Sequence, residues 1–127
     1  MAIPSGSGSE VLKNHRVAAL SSSWVDLIPV ADINVNIIVT VISIIVSNQH
    51  TATCLFNLST QDYNGSSYTN ESRFLHTQSI TDKDTFIWND RFVLYSGSSS
   101  TRQALRGLTE QAGDCDVMTS YIVQNWI

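Results

Sequence analysis

The chain has 127 residues, enough for one domain with a core, and a formal net charge of −4. Hydrophobic residues make up 43% and charged residues only 14%, against about 25% charged in ordinary soluble domains. The acidic balance argues against a binder of duplex nucleic acid, which needs a basic face to displace counterions. A sparsely charged surface rich in Ser, Thr and Asn suits a protein packed against others.

Residues 1–12 read as a flexible N-terminal arm, since Pro4 followed by SGSGS has nothing to bury. The arm lacks the basic segment and apolar run of a secretory signal, so a soluble protein made in a cytoplasm is expected. A short strand is expected over 16–20, although VLKNHRVAAL also fits a short helix. The run INVNIIVTVISIIV at 33–46 is the strongest signal. Its apolar residues are almost all β-branched, which favours a pleated strand over a helix. It is also too short to span a membrane as a helix. Positions 33, 35, 37, 39 and 41 are apolar, and after Val41 the alternation changes parity. That change predicts a β-bulge or a bend.

A turn at 48–50 leads to a strand over 51–60, with Cys54, Phe56 and Leu58 on one face. Residues 61–71 read as a polar loop centred on Asn64-Gly65, a strong turn signal. A strand over 72–78 follows, then segments 85–88 and 91–95 around Asn89-Asp90, which predict a tight hairpin. Residues 101–113 fit either a helical turn or a polar strand and loop. From 115 to 126 the alternation is clean, with Cys115, Val117, Thr119, Tyr121 and Val123 on one face. Many short strands without a convincing helix predict an all-β antiparallel β-sandwich, jelly-roll-like, forming a single domain over 13–127.

Candidate chemistry is sparse. His15, His50 and His76 are far apart and lack the companions of a metal site. Asp82 with Asp84, and Asp114 with Asp116, read as turn formers at strand ends, without the spacing of a calcium loop. No nucleophile elbow, phosphate loop or dinucleotide fingerprint is present, so no catalytic residue, metal or cofactor is expected. Sequons start at Asn57, Asn64 and Asn70, and chance produces them in so Ser- and Asn-rich a chain. Cys54 and Cys115 are expected as buried thiols, since a reducing compartment disfavours a disulfide. One member of the Phe86, Ile87, Trp88 set should face the core. Trp126 and Ile127 form an apolar C-terminal pair that must dock on its own sheet or on a neighbouring subunit. A sugar platform built from Trp24, Tyr63 or Tyr68 is a further alternative.

Three segments in order, AIPSGSGSEVLK, DTFIWNDRFVLYSGSS and DCDVMTSYIVQNWI, resemble a family of small virion structural proteins of tailed bacteriophages. The resemblance implies a non-enzymatic particle component made in the host bacterial cytoplasm. Its first form is a capsid decoration (cement) protein that bridges capsomers. Its partners would be the major capsid protein and copies of itself, as a trimer, with no nucleic acid and no membrane. A tail or tail-fibre component is the alternative, and a carbohydrate-binding module for a host glycan is the third reading. The expected partner interface comprises Ile3, Pro4, Val11 and Leu12 of the arm with Trp126 and Ile127. The mechanism implied is avidity, many modest contacts summed over a symmetric shell.

Overall fold

The computed structural model describes residues 9–94, 96–98, 101–111 and 115–125. Ten strands follow one another: β1 (Ser9–Val17), β2 (Val25–Asp26), β3 (Ile37–Asn48), β4 (Cys54–Tyr63) and β5 (Tyr68–Ile80), then β6 (Thr85–Trp88), β7 (Phe92–Leu94), β8 (Ser96–Ser98), β9 (Thr101–Thr109) and β10 (Cys115–Asn125). A 3-10 turn at Val30–Asp32 is the one helical element among the described residues. The front sheet runs β1-β10-β3-β6, with β7 also on β3; the back sheet runs β2-β9-β4-β5, with β8 on β9. All pairings are antiparallel. The fold is therefore the expected jelly-roll-like β-sandwich.

The change of parity in the long apolar run is a bulge. Tyr121 pairs with Val41 and Ser120 with Ser43, which leaves Ile42 as the extra residue. Val39 and Val41 are buried before it, and Ile44 and Val46 after it. The extra residue thus keeps the apolar set on the core side along the whole strand. The faces expected for β4 and β10 hold as well: Cys54, Phe56, Leu58, Cys115, Val117 and Tyr121 all lie in the core.

Three local expectations change, and one open alternative is resolved. Residues 9–12, expected in the arm, pair with Ile122–Asn125 as the first part of β1, and of the strand expected at 16–20 only Arg16 and Val17 are strand, at the end of β1, while 18–20 leave it. Pairing there satisfies backbone groups that β10 would otherwise expose along its edge. The expected 85–95 hairpin does not form, because β6 and β7 both pair antiparallel with β3, at 44–47 and 39–41. They run end to end as one interrupted edge, since the long β3 offers each a better partner than the other. Of the two alternatives for 101–113, the strand holds: residues 101–109 lie between β2 and β4. The 61–71 loop shrinks to a turn in which Asn64 Oδ1 accepts the Ser66 and Ser67 amides at 2.9 and 2.8 Å, with Gly65 at φ +100°.

Core contacts are close within the back sheet and at its junction with the front sheet. A Cβ at Gly107 would sit 3.1 Å from Leu27 Cδ1 and 3.2 Å from Phe56 Cε1, so the absent side chain admits both neighbours. Buried Asn57 accepts the Thr77 amide at 2.9 Å where β4 and β5 slip register. Its amide is therefore part of the interior, and the sequon there is closed to modification. Asn48, also buried, donates to the Ile80 carbonyl at 3.0 Å and ties the end of β3 to the end of β5.

Candidate functional site

The outer side of the front sheet is more apolar than a solvated sheet face should be. Antiparallel sheets with one wet face normally alternate apolar-in and polar-out. Here one cross-strand row reads Leu12, Ile122, Thr40, Val93 over β1, β10, β3 and β7. A second row reads Arg16, Met118, Ile45, Ile87 over β1, β10, β3 and β6. Leu12 is 71% exposed, and Ile87 and Val93 are each 56% exposed. A groove of about 630 Å³ opens on this side, lined among others by Asn14, Arg16, Ile45, Asp116 and Met118. Its lining mixes apolar Ile45 and Met118 with polar Asn14, Arg16 and Asp116.

The back sheet carries the aromatics singled out as a sugar platform, and it brings Tyr63 and Tyr68 together with centroids 4.7 Å apart. The Arg106 guanidinium lies 3.6 Å from the Tyr68 centroid and donates to the Trp24 carbonyl at 3.0 Å. Arg106 Nε is 3.0 Å from Asp26 Oδ1, an ion pair whose N–H is not aligned for a hydrogen bond. Tyr68 donates to Asp26 at 2.8 Å, and Arg73 covers the Trp24 ring at 5.0 Å. The ring surface a sugar would stack on is thus largely taken by neighbouring guanidinium groups. The cluster fastens β2 and β5 to β9 instead.

Burial, and then donation to Asp26, push the Tyr68 hydroxyl from its ordinary 10 up to about 12. Tyr121 is raised in the same direction by burial and by its bond to Asp32 at 2.7 Å. The folded chain therefore holds these protons more tightly than the unfolded chain does. Their stabilisation is complete below pH 10 and is lost as the pH rises through about 12. The melting temperature should fall steeply over that window while tyrosinate absorbance grows, and Tyr68→Phe should flatten the fall.

A second concavity, of about 250 Å³, lies where the β5 edge of the back sheet faces the interrupted β6–β7 edge. Phe74, Trp88 and Phe92 line it, with Asp90, Arg91 and Gln103 supplying polar groups. The Phe74 and Phe92 centroids are 6.4 Å apart, and Trp88 meets Phe92 edge-on at 6.4 Å. Trp88 Nε1 donates to the Asp90 carbonyl at 3.0 Å, which fixes its ring at the cleft wall. As expected, Phe86 and Trp88 pack on the core while Ile87 points outward.

Of the expected interface residues, Val11 and Leu12 lie exposed on β1, and only Leu12 belongs to the apolar rows. Ile3, Pro4, Trp126 and Ile127 lie outside the described residues, as does Asp114. Asp84 caps its own turn by accepting the Thr85 amide at 2.8 Å, and Asp116 accepts the Ala19 amide at 2.8 Å. Among the described residues, no group of three His, Cys, Asp or Glu lies close enough to hold a metal. No helix among them is long and apolar enough to cross a membrane.

No protein-family model and no curated protein matches the chain in sequence. Solved structures do match in fold. A chain of the T=1 particles derived from infectious bursal virus is similar at a TM-score of 0.54 and 8% identity, over 94% of this chain and 32% of that one. The VP2 subviral particle of infectious bursal disease virus gives 0.52 and 8%, over 93% and 32%. The CBM22-1 xylan-binding domain from Paenibacillus barcinonensis Xyn10C gives 0.50 and 10%, over 98% and 88%. The chain thus spans about a third of the viral chains and most of the xylan-binding domain. At such identities the likeness is one of fold, a two-sheet jelly-roll sandwich.

Proposed function

We propose that this chain is a non-enzymatic structural module of a virus particle, of the capsid-decoration kind, that pairs through the outer face of its front sheet. One observation carries the reading: two largely apolar rows cross that face, with Leu12, Ile87 and Val93 more than half exposed. The two rows, separated by Asn14, Ser120 and Ser43, leave exposed apolar side chains of the kind that mark association sites. The fitting occupant is a second copy. A two-fold axis in the contact plane, perpendicular to the strands and passing through the Asn14–Ser120–Ser43 row, sets the Leu12–Ile122–Thr40–Val93 row of each copy against the Arg16–Met118–Ile45–Ile87 row of the other. The low charge content and the fold shared with capsid chains support the same reading. Stain densitometry of the purified particle that incorporates this chain tests it: hundreds of copies are expected, whereas a few to tens would place the chain in a tail and absence would reject the reading.

A second reading, glycan binding, is favoured by the Phe74–Trp88–Phe92 cleft, where aromatic walls stand beside Asp90, Arg91 and Gln103. That mixture of apolar surface and a few polar groups is typical of small-ligand sites. On this reading, titration with xylo-oligosaccharides or host polysaccharide shifts the tryptophan fluorescence, and Trp88→Ala abolishes the shift. An unchanged spectrum at millimolar sugar rejects it.

A further inference from the structure

Cys54 opens β4 in the back sheet and Cys115 opens β10 in the front sheet, and both are fully buried. Their Sγ atoms lie 2.8 Å apart, thiol against thiol, across the gap between the sheets. The surrounding backbone holds them there. Cys54 pairs with Ile80 and Cys115 with Asn48, and the Asn48 side chain donates to the Ile80 carbonyl at 3.0 Å. The Leu20 amide adds a bond to the Cys115 carbonyl at 2.7 Å. Each cysteine therefore sits on a strand whose neighbour is tied to the neighbour of the other.

We propose that Cys54 and Cys115 form an oxidative modification site, converted by peroxide to a disulfide that staples the front sheet to the back sheet. One thiolate attacks a peroxide oxygen, the O–O bond breaks, and a sulfenic acid forms while hydroxide takes a proton and leaves as water. The second sulfur then attacks the sulfenic sulfur; the S–S bond forms, the S–O bond breaks, and a second water leaves. The two sulfurs together lose two electrons, which the peroxide oxygens gain, and neither metal nor cofactor is needed. Burial keeps both thiols inert while the sandwich is closed, so the reaction proceeds through local opening and is slow. Once formed, the bond joins positions 61 apart in sequence and removes much of the freedom of the unfolded chain.

The test compares the full chain after hydrogen peroxide with the same chain after dithiothreitol. The expected result has three parts: loss of both thiols on titration of the unfolded protein, a disulfide-linked pair of peptides carrying Cys54 and Cys115, and a melting temperature raised by about 10 °C. Dithiothreitol should reverse all three, and Cys115→Ser should abolish the shift. The wild-type comparison decides the matter even where that variant folds poorly. Thiols that stay titratable at a peroxide dose oxidising Met118 overturn the proposal. So does overoxidation to sulfinic acid without the cross-link, or a cross-link that leaves the melting temperature unchanged.

Discussion

Lysine at both Leu12 and Ile87 is expected to weaken self-association about 1000-fold while leaving the melting temperature of the subunit nearly unchanged. The two positions lie in different apolar rows, on β1 and β6 at opposite edges of the front sheet. Both side chains are more than half exposed in the single chain, so the substitutions remove little intramolecular packing. In the pair, each lysine would place a strongly hydrated ammonium group against apolar surface. Each residue occurs twice in a two-fold pair, so four anchors at about 1 kcal/mol each give about 4 kcal/mol, which corresponds to the stated factor. Sedimentation velocity over a concentration series reads the result. Wild-type protein that stays monomeric at high concentration, or a variant that pairs as well as wild type, counts against the front sheet as the contact.

Phe56→Ala has the opposite signature: it should cost about 3–5 kcal/mol of folding stability. The Phe56 ring is fully buried and reaches into the space left by Gly107, beside Leu27. Its neighbours come from the loop after β2 and from β9, both fixed by backbone pairing, so the cavity cannot close by a simple shift. Against a total of about 5–15 kcal/mol for a domain, the loss is a large share. Urea unfolding monitored by circular dichroism should show a much lower midpoint with an unchanged slope. A loss below about 1 kcal/mol would mean that the core repacks around the gap.

Much of this architecture is legible in the amino-acid sequence because burial imposes a period of two. The bulge after Val41 is visible as a parity change, and the inward faces of β4 and β10 follow from alternation alone. What is not legible depends on partners distant in sequence. The Asn89-Asp90 pair carries a local hairpin signal, yet β3 captures β6 and β7 separately. In β9, Arg102 and Arg106 look like loop residues until Val30, Asp26, Tyr68 and Trp24 are placed around them. The β5 strand extends beyond its apolar core through Asn70 and Thr77, whose positive φ values mark register slips that no local pattern announces.

The candidate surfaces were less visible for the same reason. Leu12, Ile45, Ile87, Val93, Met118 and Ile122 come from five strands, and only the pairing register brings them onto one face. Of the expected interface residues that the structure describes, Leu12 lies on this face, paired with Ile122, and Val11 does not. Among the aromatics, Trp24, Tyr63 and Tyr68 read as a sugar platform in the sequence. Phe74, Trp88 and Phe92 form the open cleft because two sheet edges meet there, which is a property of the fold.

A cryo-EM map of the intact particle, at a resolution that shows side chains, tests the assembly reading most directly. The expected map shows many copies of the sandwich, with the Leu12 row of one copy set against the Ile87 row of a second. A particle in which that face is open to solvent, or one that contains no copy of the chain, contradicts it.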